Sequence, residues 1–353
     1  MKKSAIFISL AATGVLAYPG MDRALAEIQA RDDFRLETRS TALFGDVAGV
    51  VVTPVGEDIK GILQGNSATA DSSTYSPPGP LGSSSCAKDP LCRWYWIVQD
   101  MQGKFTDQNG CTDSARGAIR QGFHDAATWD TSSSYGGADG SLLLSDELSR
   151  PENKGLDPIG TTTKAWFETY KQYGVTMADI IQTGAIVATV SCPGGPRIRA
   201  FVGRKDDSRA GPEGKLPLPF QDAQYLINLF QAKTFSASDL VALVGAHTAS
   251  KQFFVDPARA GAPQDSTPSV WDTRFYAETL SSTNDSSIFT FQSDKNLATY
   301  PSTRGQWAAF ADPQGGQGQW GPAFAQAYFR MSMLGLNNMQ NLTEITRVIP
   351  LPR

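Results

Sequence analysis

From residue 86 onward, apolar positions recur every three or four residues, the spacing of one helical face, and the alternation expected of strands is scarce. The pattern predicts helices over residues 94–104, 112–127, 141–148, 162–173, 176–190, 222–231, 236–248, 271–280, 303–310 and 322–334. Thr112 or Asp113 is suited to cap the second of these, and Ser236 with Asp239 reads as a capping box using Asp in place of Glu. On the helix that follows this box, Leu240, Leu243, Val244 and His247 share one apolar face. Glycine-rich and proline-rich stretches at 132–141, 192–196, 203–219 and 248–268 break the helices, and 289–294 alternates like a short strand or turn. The fold class is therefore all-α in the main, with a little short β structure.

The first 85 residues read differently. Lys2 and Lys3 precede an apolar run over 5–16, and Val15-Leu-Ala17 supplies small residues for cleavage, so residues 1–17 form a secretory signal pattern too short to span a membrane. Residues 18–85 read as a propeptide, arm or linker, with a short helix expected over 21–31. A Ser-, Thr-, Gly- and Pro-dominated stretch over 65–85 is expected to be a linker, a loosely held arm or a wrapped extension. The main domain is expected over 86–353.

Composition narrows the function classes. With 31 basic and 35 acidic side chains, net charge −4 and no basic run, nothing favours a nucleic-acid partner. No later run is long and apolar enough to span a bilayer, so no membrane partner is expected, and the chain reads as a secreted monomer. Secretion makes Cys86, Cys92, Cys111 and Cys192 disulfide formers, with three pairings open, and their spacing does not suit zinc. Asn284 and Asn341 head glycosylation sequons.

Only two histidines occur. His124 follows Arg120 by four residues on one helix, so a guanidinium and an imidazole lie one turn apart, able to stabilise an anion and move a proton at one place. His247 lies on an apolar helix face, where a histidine is ordinarily a core residue with a satisfied hydrogen bond. In Asp265-Ser-Thr-Pro-Ser-Val-Trp-Asp272 oxygen donors recur at the short spacing that suits calcium.

The motifs Arg120-Gln-Gly-Phe-His-Asp125, Gly136-Gly-Ala-Asp-Gly-Ser141, Asn153-Lys-Gly-Leu-Asp157, Cys192-Pro-Gly, Leu216-Pro-Leu-Pro-Phe220, Gly245-Ala-His-Thr248, Asp265-Ser-Thr-Pro-Ser-Val-Trp-Asp272 and Gln292-Ser-Asp294 stand in one order over some 250 residues. In that order they resemble the fungal secreted haem peroxidases, class II of the plant and fungal peroxidase superfamily. The resemblance implies about ten helices in two halves enclosing one haem b. It implies reduction of hydrogen peroxide to water and one-electron oxidation of phenolic or other small reductants.

The resemblance also assigns roles. His247 matches the axial ligand of the haem iron, and Asp294 the carboxylate that accepts from its other ring nitrogen. His124 matches the distal acid–base group, Arg120 the charge stabiliser, Asn153 the residue that orients His124, and Glu147 the acid that orients Asn153. Phe123 would wall the distal cavity, and the loop over 203–219 would help form the donor channel. A distal calcium would take Asp125, the Gly137 carbonyl, Asp139 and Ser141. A proximal calcium would take Thr248, Asp265, Thr267, the Val270 carbonyl and Asp272. The family pattern favours Cys111–Cys192, leaving Cys86–Cys92.

Departures matter as much. The full carboxylate set of manganese-oxidising relatives is not matched. Ala242 stands where lignin-oxidising relatives carry an exposed Trp, and Gln264 where an aromatic residue is usual. Cysteines for a bridge to the C-terminal region are absent, so packing must hold that end. The competing reading is a secreted haem- or calcium-binding protein without turnover.

Overall fold

The computed structural model describes residues 39–281 and 286–353. The expected signal peptide, the expected helix at 21–31 and the sequon at Asn284 lie outside the described residues. Along the chain, α1 (Pro54–Leu63) is capped by Thr53, and the single turn α2 (Ser84–Ala87) leads into α3 (Pro90–Phe105), opened by an Asp89 cap and a proline at its first position. The two-residue strands β1 (Thr106–Asp107) and β2 (Gly110–Cys111) pair antiparallel and turn the chain into α4 (Asp113–Ala126), whose N-cap is Thr112. After α5 (Ser141–Leu144) come α6 (Asp157–Tyr170) and α7 (Met177–Ser191).

Every residue of α7 is buried, as expected for a helix apolar on all sides. It is the axis of the first half: α3, α4 and α6 pack on it. Gly122 allows the closest approach, since a Cβ there would lie 2.2 Å from Tyr328 Oη and 2.5 Å from Ala185 Cβ. The second half holds α8 (Ala223–Gln231), α9 (Ala237–Val244), α10 (Arg274–Leu280), α11 (Gln292–Thr299), α12 (Arg304–Ala311) and α13 (Gly316–Met331). The Ser236–Asp239 capping box is present, and α9 packs on α13. A second strand pair, β3 (Phe201–Val202) with β4 (Thr343–Glu344), is antiparallel.

Both disulfides form, Cys86–Cys92 and Cys111–Cys192. The second ties the start of α4 to the end of α7 across 81 residues, and closing a loop of that size removes about 4 kcal/mol of unfolded-chain entropy. The C-terminus is held without a bridge: Arg197 donates to the carbonyls of Thr346 and Ile349, and Val348 and Ile349 are buried.

One expectation changes, and one of the alternatives left open above is met. The strand or turn expected at 289–294 is instead the entry to α11, so Asp294 sits in the first turn of a helix. Residues 39–85 are a wrapped extension sharing the main core, so residue 86 is not a packing boundary. Phe44, Val47, Ile59, Ile62, Leu63 and Ala68 are buried, the larger ones worth about 2 kcal/mol each. Arg330 of α13 donates to the carbonyls of Ser40, Ala42 and Leu63. The Ser- and Gly-rich part is tied by its backbone: Ala70 donates to the Arg197 carbonyl, and the Gly79 carbonyl accepts from Trp96 Nε1. Composition hid this because side chains elsewhere satisfy that backbone.

Candidate active site

The first site grows from α4. His124 is buried, with its Nδ1 2.7 Å from Asn153 Oδ1, while Asn153 Nδ2 donates to the Glu147 carbonyl oxygen at 2.7 Å. The second bond fixes the amide, so its Oδ1 faces the ring and can only accept. Nδ1 therefore carries the proton and Nε2 is the open, basic nitrogen. Burial, and then the Arg120 guanidinium, hold the His124 pKa well below its ordinary value, so the ring is neutral at pH 7. Arg120 is anchored by donation to the carbonyls of Glu152 and Lys154, both at 2.9 Å. Burial lowers its pKa to about 10, and it stays charged.

Glu147 reaches Asn153 differently from the expectation. Its backbone carbonyl, not its carboxylate, orients the amide. The carboxylate, fully buried, turns instead to the loop over 203–219 and accepts from the Gly211 N–H at 2.7 Å. Phe123 lies edge-on to His124 at 5.5 Å and parallel to Phe230 at 6.3 Å, forming an aromatic wall beside the imidazole.

The second site grows from the one-turn extension of α9, Gly245–Ala249. His247 Nδ1 lies 3.2 Å from Asp294 Oδ2, and its ring is flanked edge-on by Phe275 and Phe291. Asp294 is fully buried in the first turn of α11. Such a partner accepts a hydrogen bond from the Nδ1–H, and Nε2 makes no hydrogen bond among the described residues. An imidazole held this way, with one nitrogen open and an aromatic surround, has the donor chemistry of an axial haem ligand, so the residues present fit haem.

Next to each histidine stands a group of oxygens. Asp125 is fully buried, and Asp139 and Ser141 are buried beside it, with Ser141 Oγ lacking any partner. Burial first, then the neighbouring Asp139 and Glu147, push the Asp125 pKa well up, and burial lifts Asp139 to about 6. Gly137 adopts φ +108°, and a Cβ would lie 2.3 Å from the Leu334 carbonyl oxygen, so only glycine fits there. On the other side, Thr248 Oγ1 donates to Asp265 Oδ2 at 2.5 Å and Thr267 Oγ1 to Asp272 Oδ2 at 2.8 Å. The Val270 N–H donates to the Thr267 carbonyl, which closes that turn. Burial raises Asp265 to about 7. Among the described residues no three His, Cys, Asp or Glu side chains converge as a metal cluster. Both groups instead combine two carboxylates with hydroxyl oxygens, hard donors of the kind calcium takes.

Periodicity gave no signal for several supporting residues. Gln182 Nε2 donates to the Gly122 carbonyl and so fixes α4 against α7. The loop over 203–219 touches both sites: Asp207 N–H donates to the Asp139 carbonyl, Gly211 to Glu147, and the Pro219 carbonyl accepts from Ser293 N–H beside Asp294.

Comparison with known proteins agrees with this geometry. The family described as Peroxidase matches residues 97–313, more than half of the chain. The chain is 31% identical over 279 residues to the low-redox potential peroxidase of Taiwanofungus camphoratus, covering 74% of this chain and 78% of that protein. It is 29% identical over 318 residues to ligninase C of Trametes versicolor, covering 83% of each. To manganese peroxidase 3 of Phlebia radiata it is 30% identical over 291 residues, covering 75% of this chain and 78% of that protein. The matched span contains both histidines and their partners, and the chain belongs to the peroxidase family, among its fungal class II haem peroxidases.

Proposed function

We propose that this haem peroxidase is a secreted, monomeric enzyme of general type, taking electrons from phenolic and similar small reductants, with His124, Arg120 and Asn153 acting on peroxide and His247 holding the haem b iron. The observation that carries the assignment is the fixed tautomer of His124: neutral, protonated on Nδ1 and open at Nε2, one helical turn from a charged guanidinium. Haem, when bound, supplies the redox-active iron that cleaves peroxide and accepts electrons singly from donors.

His124 Nε2 takes the proton from the near oxygen of hydrogen peroxide and returns it to the departing oxygen, which leaves as water. Arg120 stabilises the negative charge that builds on the departing oxygen. Asn153, held by the Glu147 carbonyl, keeps the imidazole from presenting its protonated nitrogen. His247 donates through Nε2, with Asp294 drawing its Nδ1 proton and making it more electron-rich.

Calcium is assigned to the two oxygen groups, Asp125, Gly137, Asp139 and Ser141 on one side and Thr248, Asp265, Thr267, Val270 and Asp272 on the other. Each includes the residue following a histidine, so an ion there would fix that histidine's place along the chain. Ala242, buried and without an aromatic ring, supports small reductants over long-range oxidation through this position. Secretion fits the N-terminal signal pattern, the two disulfides and the exposed sequon Asn341. Among the described residues no single helix is long and apolar enough to cross a membrane.

The test is optical. The purified protein should show a Soret band, and stoichiometric peroxide should change it within seconds, with a phenol restoring the starting spectrum. A Soret band indifferent to peroxide would overturn the acid–base assignment, and a lack of any such band would overturn the haem site.

A further inference from the structure

Gln264 is buried beside His247, and the roles given above leave it unused. Its backbone N–H donates to the Ser250 carbonyl at 3.3 Å. Its side-chain Oε1 accepts from Ser250 Oγ, and its Nε2 lies 3.3 Å from Asp294 Oδ2. An ionised carboxylate can only accept, so the amide must turn its nitrogen toward Asp294 and its oxygen toward the serine hydroxyl. The same Oδ2 is the atom 3.2 Å from His247 Nδ1. Asp294 Oδ1, buried as well, has no partner. Two donors thus share one carboxylate oxygen while the other oxygen has none.

Sharing has an electronic consequence. An acceptor oxygen shared by two donors bonds each of them less strongly than it would bond one alone. With Gln264 in place, Oδ2 is a weaker acceptor for the Nδ1 proton, so His247 keeps more of that proton and is less electron-rich at Nε2. A less donating axial nitrogen stabilises ferric iron less. We infer that Gln264 is a positioning residue which competes with His247 for Asp294 Oδ2 and so raises the reduction potential of the haem iron. This rests on the proposed role of His247 as axial ligand. Ser250 is part of the same device, since it orients the amide.

Gln264→Met keeps the length and near volume of the side chain and removes the donor. In the haem-loaded protein, the ferric-to-ferrous ratio at a fixed potential should rise about tenfold, a fall in midpoint of about 59 mV for a one-electron couple. The iron–histidine stretching band of the ferrous protein, read by resonance Raman, should move to higher frequency. Ser250→Ala should shift both in the same direction by less, and it decides the matter if Gln264→Met fails to fold. A midpoint that is unchanged or raised, with a stretching band that does not move, sinks the inference alone. Absence of an iron–histidine band from the unsubstituted protein would overturn the ligand role and this inference together.

Discussion

His124 and His247 each direct Nδ1 at a buried oxygen, but one oxygen belongs to a neutral amide and the other to a carboxylate. On the distal side the chain of bonds ends in a backbone carbonyl, and no charge is available to stabilise an imidazolium. The ring stays neutral, and its free nitrogen is ready to accept a proton. On the proximal side the carboxylate pulls on the ring proton continuously and makes the free nitrogen a stronger donor. Under the proposed roles, two identical side chains therefore acquire different chemistry from one atom each: a partner that fixes a tautomer suits a base, and a partner that bears charge suits a ligand.

The sharpest way to break this contrast is His124→Ala, which should slow the reaction with peroxide by about 10²–10⁴-fold while leaving the Soret band in place. Stopped-flow spectra would check it, and an undiminished rate would remove His124 as the base. Next in size is Asp294→Asn, which gives the proximal ring a neutral partner like the distal one. It should weaken haem retention or peroxide turnover by about 10–100-fold, measured by haem transfer to an apo-acceptor and by steady-state rates.

The smallest effect concerns the flanking oxygen groups. Asp139 is raised from 3.8 to about 6 and Asp265 from 3.8 to about 7, chiefly by burial. Groups shifted this way contribute stability that is fully present below the ordinary carboxylate range and is lost as pH rises through the folded values. Chelated protein should therefore lose Tm as pH is raised from about 4 to 7, by several degrees at about 2–4 °C per kcal/mol. Added calcium should abolish that fall. A chelated protein with a flat Tm across this window would contradict the assignment of these groups as cation sites.

Much of this was legible in the chain. Most helices of the main domain follow apolar periodicity, and Thr112 and Ser236 act as the caps their positions suggest. The histidines and their partners stand in motifs whose order is itself the signal. Much of what escaped shares a physical cause: contacts made by backbone atoms leave no mark on side-chain pattern. Glu147 steers Asn153 through its carbonyl, which any residue could supply, and its carboxylate serves Gly211 instead. The wrapped extension at 39–85 lacks a long period because its carbonyls are satisfied by Arg330, Trp96 and other distant donors. Gln264 was visible as an unusual residue, but its contact with Asp294 required the fold that brings α11 beside it.

The loop over 203–219 gives a last consequence. Its anchors at Asp207, Gly211 and Pro219 leave little play, and at Gly211 a Cβ would lie 2.8 Å from the Thr128 side chain. Between anchors the Glu213 side chain is 82% exposed, whereas Gly214, though it has open space around it, holds φ +72°, a conformation that favours glycine. The loop therefore separates where the protein is free to vary from where it is not. New side chains at 213 alter the exposed surface of the loop, while the fixed points on either side hold its contacts to Asp139, Glu147 and Ser293. On the proposed role of this loop in donor access, donor preference can drift by small surface changes while the peroxide chemistry underneath is insulated from them.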